Sequence, residues 1–454
     1  MDQTYVFFLG SHSTLSAAEC FTVLTREGFL PRVKAAHPRF LILSLDKPLP
    51  ENFINRLGGV SRIGELRAEQ DHMWSAAELV ALLSPAPQGE ARPTGRPAPA
   101  QQSPASRRGD VGPPKFQFGL STIGANEVPL KKLGLDIKKL LKEQNVKASF
   151  VTPAKGQQLN SAQVLFNRLQ EAPNAELTFL RSGTTYYLTQ TRQVQDIQAY
   201  ERRDTGRPAR DAYVGMLPPK VAQMMLNLLP SFPANPPVIL DPFCGTGVVL
   251  QEGWLFGYAM LGSDAKAIMV NATEQNVRWL QQLAADKKMS LSTSPPVVFQ
   301  HDIRLPYKRI APASVDAIVT EPYLGEPLSA PLPADKAVKR EHDLADLYLA
   351  FFRNAQTVLK NGAFVTFILP AFAKASFSAK ATADKPASRF RLFPASFLDA
   401  VTKLGYDLSH VVPNELQQAY EASERGTLVY ARPEALVGRE LTLWRIRKPE
   451  DQHN

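Results

Sequence analysis

Short apolar runs alternate with longer segments of helical periodicity along the carboxyl-terminal part of the chain. The apolar runs are PVILDPF, AMLGSD, VVFQHD, VDAIVTEP and GAFVTFIL. Between them, GVVLQEGWLFG, AIMVNATEQNVRWLQQLAA and LADLYLAFFRNAQTVLK carry apolar residues three or four positions apart, as amphipathic helices do. Strands that alternate with crossover helices form parallel sheets. The pattern therefore predicts an α/β fold with a mostly parallel, doubly wound sheet over residues 193–454, in which LPPKVAQMMLNLL is the first amphipathic helix.

Two smaller α/β modules are predicted upstream of this sheet. In residues 1–83, TYVFFLG, RFLILSL and SRIGEL have the apolar pattern of strands, and LSAAECFTVLTREG and ENFINRLGG that of helices. In residues 115–192, KFQFGLST, KASFVTP, AELTFLRSG and TTYYLTQT are predicted strands, and LGLDIKKLLKEQN and SAQVLFNRLQE are predicted helices. The segment 84–114 between them contains eight prolines and four glycines but no aromatic residue. Such a segment cannot bury enough apolar area to fold, so we expect a disordered linker.

Composition narrows the class of protein. The 454 residues are 44% hydrophobic and 21% charged, which is ordinary for a globular chain of two or three domains. Cys20 and Cys244 are too few for a disulfide framework or a cysteine-rich zinc site, and the seven histidines show no spacing of metal ligands. The acidic start and the short apolar runs argue against a signal peptide and a membrane span. We therefore expect a soluble, cytoplasmic protein without a bound metal.

The net charge of +9 favours a polyanionic partner, because Lys and Arg that neutralise phosphates release condensed counterions. Two basic clusters, one in the second module and one just after it, are candidates for RNA contact. Their members are Lys138, Lys139 and Lys142, and Arg202, Arg203, Arg207 and Arg210. Taken alone, the lysines are better explained as a solvated helix face, but the two clusters together predict a phosphate track.

Acidic residues follow four consecutive predicted strands. Asp241 precedes a glycine turn, CGTG, and Asp264 ends the next strand 23 residues later, near the spacing at which a carboxylate binds ribose hydroxyls. Asp302 and Glu321 end the third and fourth strands. Leu250 stands where the G-x-G-x-x-G pattern of NAD and FAD sites has its third glycine, which argues against those cofactors. One such acid is often a helix cap, whereas four at the edge where these sheets bind ligands predict a binding site.

Several blocks of the sequence carry a family resemblance. LDPFCGTG, GSDAKAIMVNATEQN, HDIRLP and VTEPYLG together resemble the S-adenosylmethionine-dependent methyltransferases that act on exocyclic amino groups, most closely the tRNA guanosine-10 N2-methyltransferases. LGGVSRIGEL, GLDIKKLLKEQNVKASFV and RRDTGRPARDAYVGMLPPKVAQMMLNL look like that family's other blocks.

The resemblance covers nearly the whole chain except the proline-rich segment, and it implies a domain order. A ferredoxin-like domain would occupy residues 1–83, a THUMP RNA-binding domain 115–192, and a Rossmann-like methyltransferase domain 193–454. It further implies S-adenosyl-L-methionine as the cofactor and tRNA as the partner, and it leaves open a small activating partner subunit.

Carried over residue by residue, the resemblance assigns contacts to the cofactor. Asp264 would bind the ribose hydroxyls and Asp302 the adenine amino group, with Ile303 beside the ring. The Pro218-Pro219-Lys220 turn matches a block that lies close to the cofactor in the family. Cys244 is interpreted as a small buried residue without chemistry. The residues that would surround the methionine part of the cofactor are Asp241, Phe243, Gly245, Thr246 and Gly247.

The catalytic block departs from the family pattern. The family has V-T-D-P-P-Y-G, and this chain has V-T-E-P-Y-L-G at positions 319–325. Aligned without a gap, Glu321 replaces the aspartate, Pro322 is kept and Tyr323 falls on the second proline. A shift of one residue would align Tyr323 with the aromatic and Thr320 with the acid. The first register keeps the glycine and the carboxylate, so we expect Glu321, Pro322 and Tyr323 to be catalytic.

The chemistry explains why an acid must survive in this block. The amino group of guanine is a poor nucleophile because its lone pair is delocalised into the ring. The Glu321 carboxylate and the Pro322 carbonyl could accept its hydrogens and turn the lone pair toward the methyl donor, with Tyr323 stacked on the base. The favoured function is methyl transfer to N2 of a guanosine at position 10 of tRNA. An rRNA guanine-N2 methyltransferase and a catalytically inactive tRNA-binding homologue remain the alternatives.

Overall fold

The computed structural model describes residues 3–83, 116–210, 216–233, 235–374, 389–432 and 434–447. They divide into two compact units. The first contains the described residues of Leu9–Val60 and Asp196–Asn454, and the second those of Gln3–Phe8 and Ser61–Gln195. Residues 9–60, grouped by the sequence with an amino-terminal domain, thus belong to the same unit as the carboxyl-terminal sheet. The predicted domain boundaries remain a prediction, and the predicted linker lies outside the described residues.

The helices and strands are numbered along the chain. The strands are β1 (Gln3–Leu9), β2 (Arg32–His37), β3 (Phe40–Leu45), β4 (Val60–Gln70), β5 (Phe116–Ile123), β6 (Ala148–Val151), β7 (Ala175–Ser182), β8 (Thr185–Val194), β9 (Val238–Asp241), β10 (Ala259–Asp264), β11 (Val297–Gln300), β12 (Val315–Thr320), β13 (Leu359–Ala373), β14 (Phe390–Arg391), β15 (Tyr406–Ser409), β16 (Leu428–Tyr430) and β17 (Val437–Ile446). The α-helices are α1 (Ser13–Arg26), α2 (Ala76–Leu83), α3 (Leu130–Glu143), α4 (Ser161–Phe166), α5 (Ile197–Thr205), α6 (Pro219–Asn227), α7 (Val248–Leu255), α8 (Ala267–Lys287), α9 (Ala334–Val358) and α10 (Ala395–Lys403). Phe53–Arg56 and Asn414–Leu416 are 3-10 helices.

The first unit contains a large sheet with the strand order β11-β10-β9-β12-β13-β17-β15. The pairs from β11 to β13 are parallel, whereas β17 is antiparallel to both β13 and β15. The order along the chain reverses between β9 and β12. In open parallel sheets, the crevice outside the carboxyl ends of the strands at such a reversal is where ligands bind. The predicted α/β class is confirmed, and the parallel strands are those predicted from the apolar runs.

Crossover helices cover this sheet. α7 and α8 connect β9 to β10 and β10 to β11, and α9 connects β12 to β13. Because such crossovers are right-handed and the strand order reverses, α9 is expected on the opposite face from α7 and α8. Its face is aromatic: Tyr348, Phe351 and Phe352 are fully buried together with Phe367 of β13 and Trp444 of β17. The burial of each of these side chains contributes roughly 1.5–3 kcal/mol to folding. It stabilises the packing of α9 against β13 and β17.

A buried polar network joins α1 to α6 within the first unit. Glu19 is fully buried and accepts hydrogen bonds from the backbone N–H groups of Gly58 and Gly59 and from Nδ2 of Asn227, each at 2.7 Å. Arg26 donates to Oδ1 of Asn227 at 2.9 Å. Burial raises the pKa of Glu19 to about 7, against the hydrogen bonds and Arg26, which lower it. The acid therefore fixes both the Gly58-Gly59 turn and α6, which precedes the large sheet.

The second unit contains the strand order β1-β4-β8-β7-β5-β6, in which β4, β8 and β7 are antiparallel neighbours and β5 is parallel to β7 and β6. Its core holds a buried ion pair between Arg62 and Glu176, 2.5 Å apart. Ser121 and Thr191 donate their hydroxyls to the same carboxylate at 2.7 and 2.6 Å, so the buried charge is hydrogen-bonded. The assignments of a ferredoxin-like and a THUMP domain remain predictions.

Among the described residues, no helix combines the length and the apolarity that a membrane crossing requires.

Candidate functional site

A cavity of about 530 Å³ opens in the first unit at the carboxyl ends of β9, β10 and β12. Five carboxylates line it, and four of them are the acids predicted from the strand ends: Asp241, Asp264, Asp302 and Glu321. The fifth is Glu326. Asp302 lies two residues beyond β11, and Glu321 directly follows β12. The volume is in the range that suits a nucleoside-sized ligand.

The glycine turn after β9 is shaped by its contacts with α8. Gly247 has a φ of +83°, and a Cβ atom there would stand 2.7 Å from Cγ2 of Thr273. Oγ1 of Thr273 donates to the carbonyl of Gly245 at 2.7 Å, and Nδ2 of Asn276 donates to the carbonyl of Thr246 at 2.8 Å. A side chain at position 247 would therefore be strained by its backbone conformation and would clash with α8. Position 247 therefore requires glycine for a structural reason.

Asp264 faces this turn from the end of β10. Its Oδ2 accepts the N–H of Gly245 at 3.1 Å, and its Oδ1 accepts the N–H of Lys266 at 2.9 Å. Burial raises the pKa of Asp264, while these hydrogen bonds and the charge of Lys266 lower it. Each carboxylate oxygen has a second lone pair, so the group can still accept hydrogen bonds from a ligand.

Asp241 is the most deeply buried of the four acids. Its Oδ1 accepts the hydroxyl of Thr320 at 2.7 Å and the N–H of Phe243 at 3.2 Å. Burial raises the pKa of Asp241 to about 7; the two hydrogen bonds lower it, and the charges of Asp264 and Glu321 raise it further. At neutral pH the group therefore exchanges readily between its protonated and ionised forms.

Asp302 lies nearer the solvent and is paired with Arg304. Nε of Arg304 is 3.0 Å from Oδ1, and Nη2 is 2.6 Å from Oδ2. The hydrogen bond from Arg304 is the largest effect that lowers the pKa of Asp302. The next residue, Ile303, is buried, and its carbonyl accepts Nδ2 of Asn354 at 2.7 Å. An ionised acceptor and an apolar side chain thus stand side by side at this part of the wall.

Glu321 is bound by an arginine that sequence reasoning missed. Arg439 of β17 contacts Oε1 of Glu321 through Nε, and its Nη2 lies 3.4 Å from Oε2. The two side chains are 16% and 18% exposed, and both line the cavity. They are 118 positions apart in the chain, so no local pattern could have paired them.

The loop after β12 is held by two further contacts. The hydroxyl of Tyr348 donates to the carbonyl of Tyr323 at 2.6 Å, and Nη1 of Arg340 donates to the carbonyl of Glu326 at 2.8 Å. Tyr323 itself is 44% exposed, and its hydroxyl donates to Glu326 at 2.6 Å. Partial burial and this bond raise the pKa of Tyr323 to about 12. Its ring therefore stays neutral at the cavity mouth, and Pro322 lies between it and Glu321.

The remaining predicted neighbours of the cavity are also located. Phe243, Gly245 and Thr246 line it, as do Met216 and Leu217, which immediately precede the Pro218-Pro219-Lys220 turn at the start of α6. Cys244 lines it too but is buried, and burial raises the pKa of its thiol well above the usual value. Among the described residues, no group of three or more His, Cys, Asp or Glu could hold a metal ion.

Five of the seven predicted RNA-contacting residues are exposed or partly exposed. Lys138, Lys139 and Lys142 are exposed on α3 in the second unit. Arg210 is exposed in the first unit, and Arg202 of α5 is partly exposed and 3.9 Å from Asp196.

Two predicted RNA contacts are buried instead. Nε and Nη2 of Arg203 bind Glu252 at 2.7 and 3.2 Å, and its side chain is 11% exposed. Arg207 is buried beside Met216. The structure therefore does not bring Arg203 and Arg207 to the surface, because tertiary pairing and packing enclose them. The predicted phosphate contact is retained only for Arg202 and Arg210 and for the lysines.

Part of the chain is similar in sequence to known proteins, although no protein-family model matches it. It is 34% identical over 158 residues to a tRNA (guanine(10)-N2)-dimethyltransferase of Methanothermobacter thermautotrophicus, a match that covers 35% of this chain and 40% of the relative. It is 35% identical over 114 residues to a probable tRNA (guanine(10)-N2)-dimethyltransferase of Methanothermococcus thermolithotrophicus, covering 24% of this chain and 64% of the relative. The chain thus spans less than two thirds of the length of either relative.

Two solved structures are similar over almost the whole chain. One is TrmN from Thermus thermophilus, with a TM-score of 0.47 and 14% identity over 98% of this chain and 99% of that chain. The other is a possible methylase from Clostridium difficile 630, with a TM-score of 0.45 and 12% identity over 100% of both chains.

Proposed function

We propose that this protein transfers a methyl group from S-adenosyl-L-methionine to the N2 amino group of a guanosine in tRNA, with position 10 as the expected nucleotide. The observation that carries the proposal is the convergence of Asp241, Asp264, Asp302 and Glu321 on one cavity at the reversal of strand order. The names of the matched sequence relatives support the same substrate. In this proposal the large sheet forms a Rossmann-like methyltransferase domain, and the upstream residues supply ferredoxin-like and THUMP domains that bind tRNA.

The residues of the cavity fit the proposed cofactor. Its ribose hydroxyls, adenine amino group and ammonium group are hydrogen-bond donors, and the cavity wall offers carboxylate acceptors in Asp264, Asp302 and Asp241. Ile303 and Phe243 supply apolar surface beside them. A sulfonium supplies an already activated methyl group, so the protein has mainly to bind and orient the reactants.

Glu321 and Pro322 would hold the amino group that receives the methyl. The carboxylate of Glu321 lies on the cavity wall, and the carbonyl of Pro322 follows it directly in the chain. Two acceptors at this place can bind the two N–H groups and orient the nitrogen lone pair. As the nitrogen forms its new bond it loses a proton, for which the Glu321 carboxylate is the adjacent acceptor. Tyr323, exposed at the mouth, would stack on the base.

The exposed lysines of α3 would contact the phosphates of tRNA. A guanine in a helical stem has to leave its stack to enter the cavity, and contacts elsewhere on the RNA offset that cost. Binding by shape and phosphates suits this task because it requires little reading of sequence.

The test uses purified full-length protein, labelled S-adenosylmethionine and unmodified tRNA transcripts. We expect label in N2-methylated guanosine after nuclease digestion, and loss of label from a transcript in which guanosine 10 is replaced by adenosine. Glu321→Gln should lose methyl transfer while it still binds tRNA and S-adenosylhomocysteine. Glu274→Gln, which changes a partly exposed carboxylate on α8, is the control and should keep activity.

The proposal is refuted if wild-type protein that binds S-adenosylhomocysteine leaves tRNA unlabelled. Label in an rRNA fragment but not in tRNA would transfer the assignment to an rRNA guanine-N2 methyltransferase. Activity in Glu321→Gln would show that the catalytic register is wrong.

A further inference from the structure

We propose that Arg439 is a positioning residue for methyl transfer, which holds the Glu321 carboxylate in the orientation in which it accepts the hydrogens of the substrate amino group. This inference rests on the proposed function and assigns a role to a residue 118 positions away from the catalytic block.

The geometry of the pair is that of a fork. Nε and Nη2 of Arg439 address different oxygens of Glu321, which fixes the plane of the carboxylate as well as its place. Arg439 is itself held on β17, where it lies opposite Pro370 of the neighbouring β13. Arg439 therefore projects from a paired strand of the large sheet and not from a loop. A rigid strand can keep the Glu321 carboxylate in one orientation.

The pairing leaves Glu321 able to bind a substrate. An ionised carboxylate has about four lone-pair sites, and the two nitrogens of Arg439 use two of them. The others are available for N–H donors from the cavity, which both side chains line. Arg439 therefore orients the carboxylate without closing it off.

Charge also holds the pair together. Glu321 shares its cavity with Asp241 and Asp264, and its charge is one of the influences that raise the pKa of Asp241. Burial alone would lower the pKa of Arg439, but Glu321 raises it and the net shift is upward, so the arginine stays charged beside its partner.

Arg439 thus sets the direction in which the Glu321 carboxylate presents its remaining lone pairs. Glutamate is one methylene longer than the aspartate of the family pattern. This length is consistent with a carboxylate that extends to Arg439 on β17.

The test compares wild type, Arg439→Gln and Arg439→Lys for kcat and KM on tRNA, and for binding of S-adenosylhomocysteine. Arg439→Gln should lower kcat by about 10- to 100-fold through the misplaced acceptor, with cofactor affinity and KM changed by no more than about threefold. Arg439→Lys keeps the charge without the fork, so it should recover only part of kcat.

The matched control breaks a second arginine–glutamate pair, whose glutamate lies on the same strand as Arg439. Arg425 binds the buried Glu440, the residue next to Arg439, through Nε at 2.8 Å and Nη2 at 2.6 Å. Neither residue lines the described cavity. Arg425→Gln should lower the Tm but leave the kcat and KM of the folded protein unchanged.

Three results would overturn the inference while wild type remains active. One is a wild-type kcat in Arg439→Gln, another is a loss of cofactor binding in parallel with kcat, and the third is the same fall in kcat in Arg425→Gln. Where Arg439→Gln does not fold, Arg439→Lys decides: reduced kcat with an unchanged KM supports the inference, and wild-type kinetics overturn it. A wild type that methylates no tRNA overturns the proposed function and this inference with it.

Discussion

The buried carboxyl of Asp241 makes a quantitative prediction about cofactor binding. Its pKa is raised to about 7, chiefly by burial. In the proposed function it lies near the methionine part of the cofactor, whose ammonium group favours an ionised neighbour. Binding should therefore select the ionised form and expel a proton from the protonated one. The affinity for S-adenosylhomocysteine, which keeps the ammonium group, should fall as the pH drops below 7.

The magnitude follows from the fraction that is ionised before binding. With a pKa of about 7, that fraction is about one eleventh at pH 6 and about ten elevenths at pH 8. The Kd should therefore be about tenfold weaker at pH 6 than at pH 8, a difference of about 1.4 kcal/mol. Burial lowers the pKa of His301, the histidine on the cavity wall, which moves its titration away from that of Asp241.

Isothermal titration calorimetry at pH 6, 7 and 8, in buffers of different ionisation enthalpy, measures both quantities. Binding should release about 0.9 proton at pH 6 and about 0.1 at pH 8. Asp241→Asn should bind more weakly at pH 8 and lose the pH dependence. Asp316→Asn is the matched control, since Asp316 is a buried aspartate of the same sheet that pairs with Lys360 at 2.6 Å outside the cavity.

The reasoning is refuted by an equal Kd at pH 6 and pH 8, by binding without proton release, or by an Asp241→Asn variant that keeps the wild-type slope. Loss of the slope in Asp316→Asn would show that the proton comes from the fold as a whole.

Three further predictions concern stability and RNA binding. Glu19→Ala leaves three buried donors without their acceptor and should lower the free energy of unfolding by about 3 kcal/mol or more, as measured by urea denaturation. Gly247→Ala should weaken S-adenosylhomocysteine binding and lower the Tm more than Gly156→Ala, because both positions have a positive φ but only Gly247 has a neighbour within 3 Å of the added Cβ. Replacing the three exposed lysines of α3 by alanine should weaken tRNA binding in a filter assay and reduce its salt slope by about 0.7–0.9 for each phosphate that is no longer neutralised, with cofactor affinity unchanged.

The parallel strands and their acids could be predicted because each depends on a short stretch of sequence. Val315–Thr320 is buried at every position, and the apolar residues at its centre, Ala317 to Val319, make the strand visible shortly before the acid Glu321. Parallel strands end at one edge of the sheet, so acids predicted separately converge without any knowledge of distant contacts. The structure places all four on one cavity wall.

The same local reasoning failed where charged residues are buried in pairs. Strand β17 was not predicted, although most of it is buried, because Arg439 and Glu440 interrupt its apolar pattern. Both are neutralised inside the fold, one by Glu321 and the other by Arg425. Arg203 was assigned to the surface for the same reason, since its partner Glu252 is 49 positions away. Sequence periodicity counts such residues as exposed, and only the tertiary structure supplies the opposite charge.

The acids of the cavity differ in what surrounds their charge, and this difference indicates where a cationic ligand would bind. Asp302 and Glu321 are each paired with an arginine, so each contributes a nearly neutral unit to the cavity. Asp264 is bonded to backbone N–H groups and lies near the charge of Lys266, and Asp241 is bonded to a hydroxyl and an N–H, so neither carboxylate forms an ion pair of the arginine kind. Negative potential should therefore concentrate at the glycine turn, the end assigned to the ammonium group, while the arginine-paired acids act through the direction of their hydrogen bonds. On this argument Asp241 governs affinity and its pH dependence, and Arg439 governs the rate.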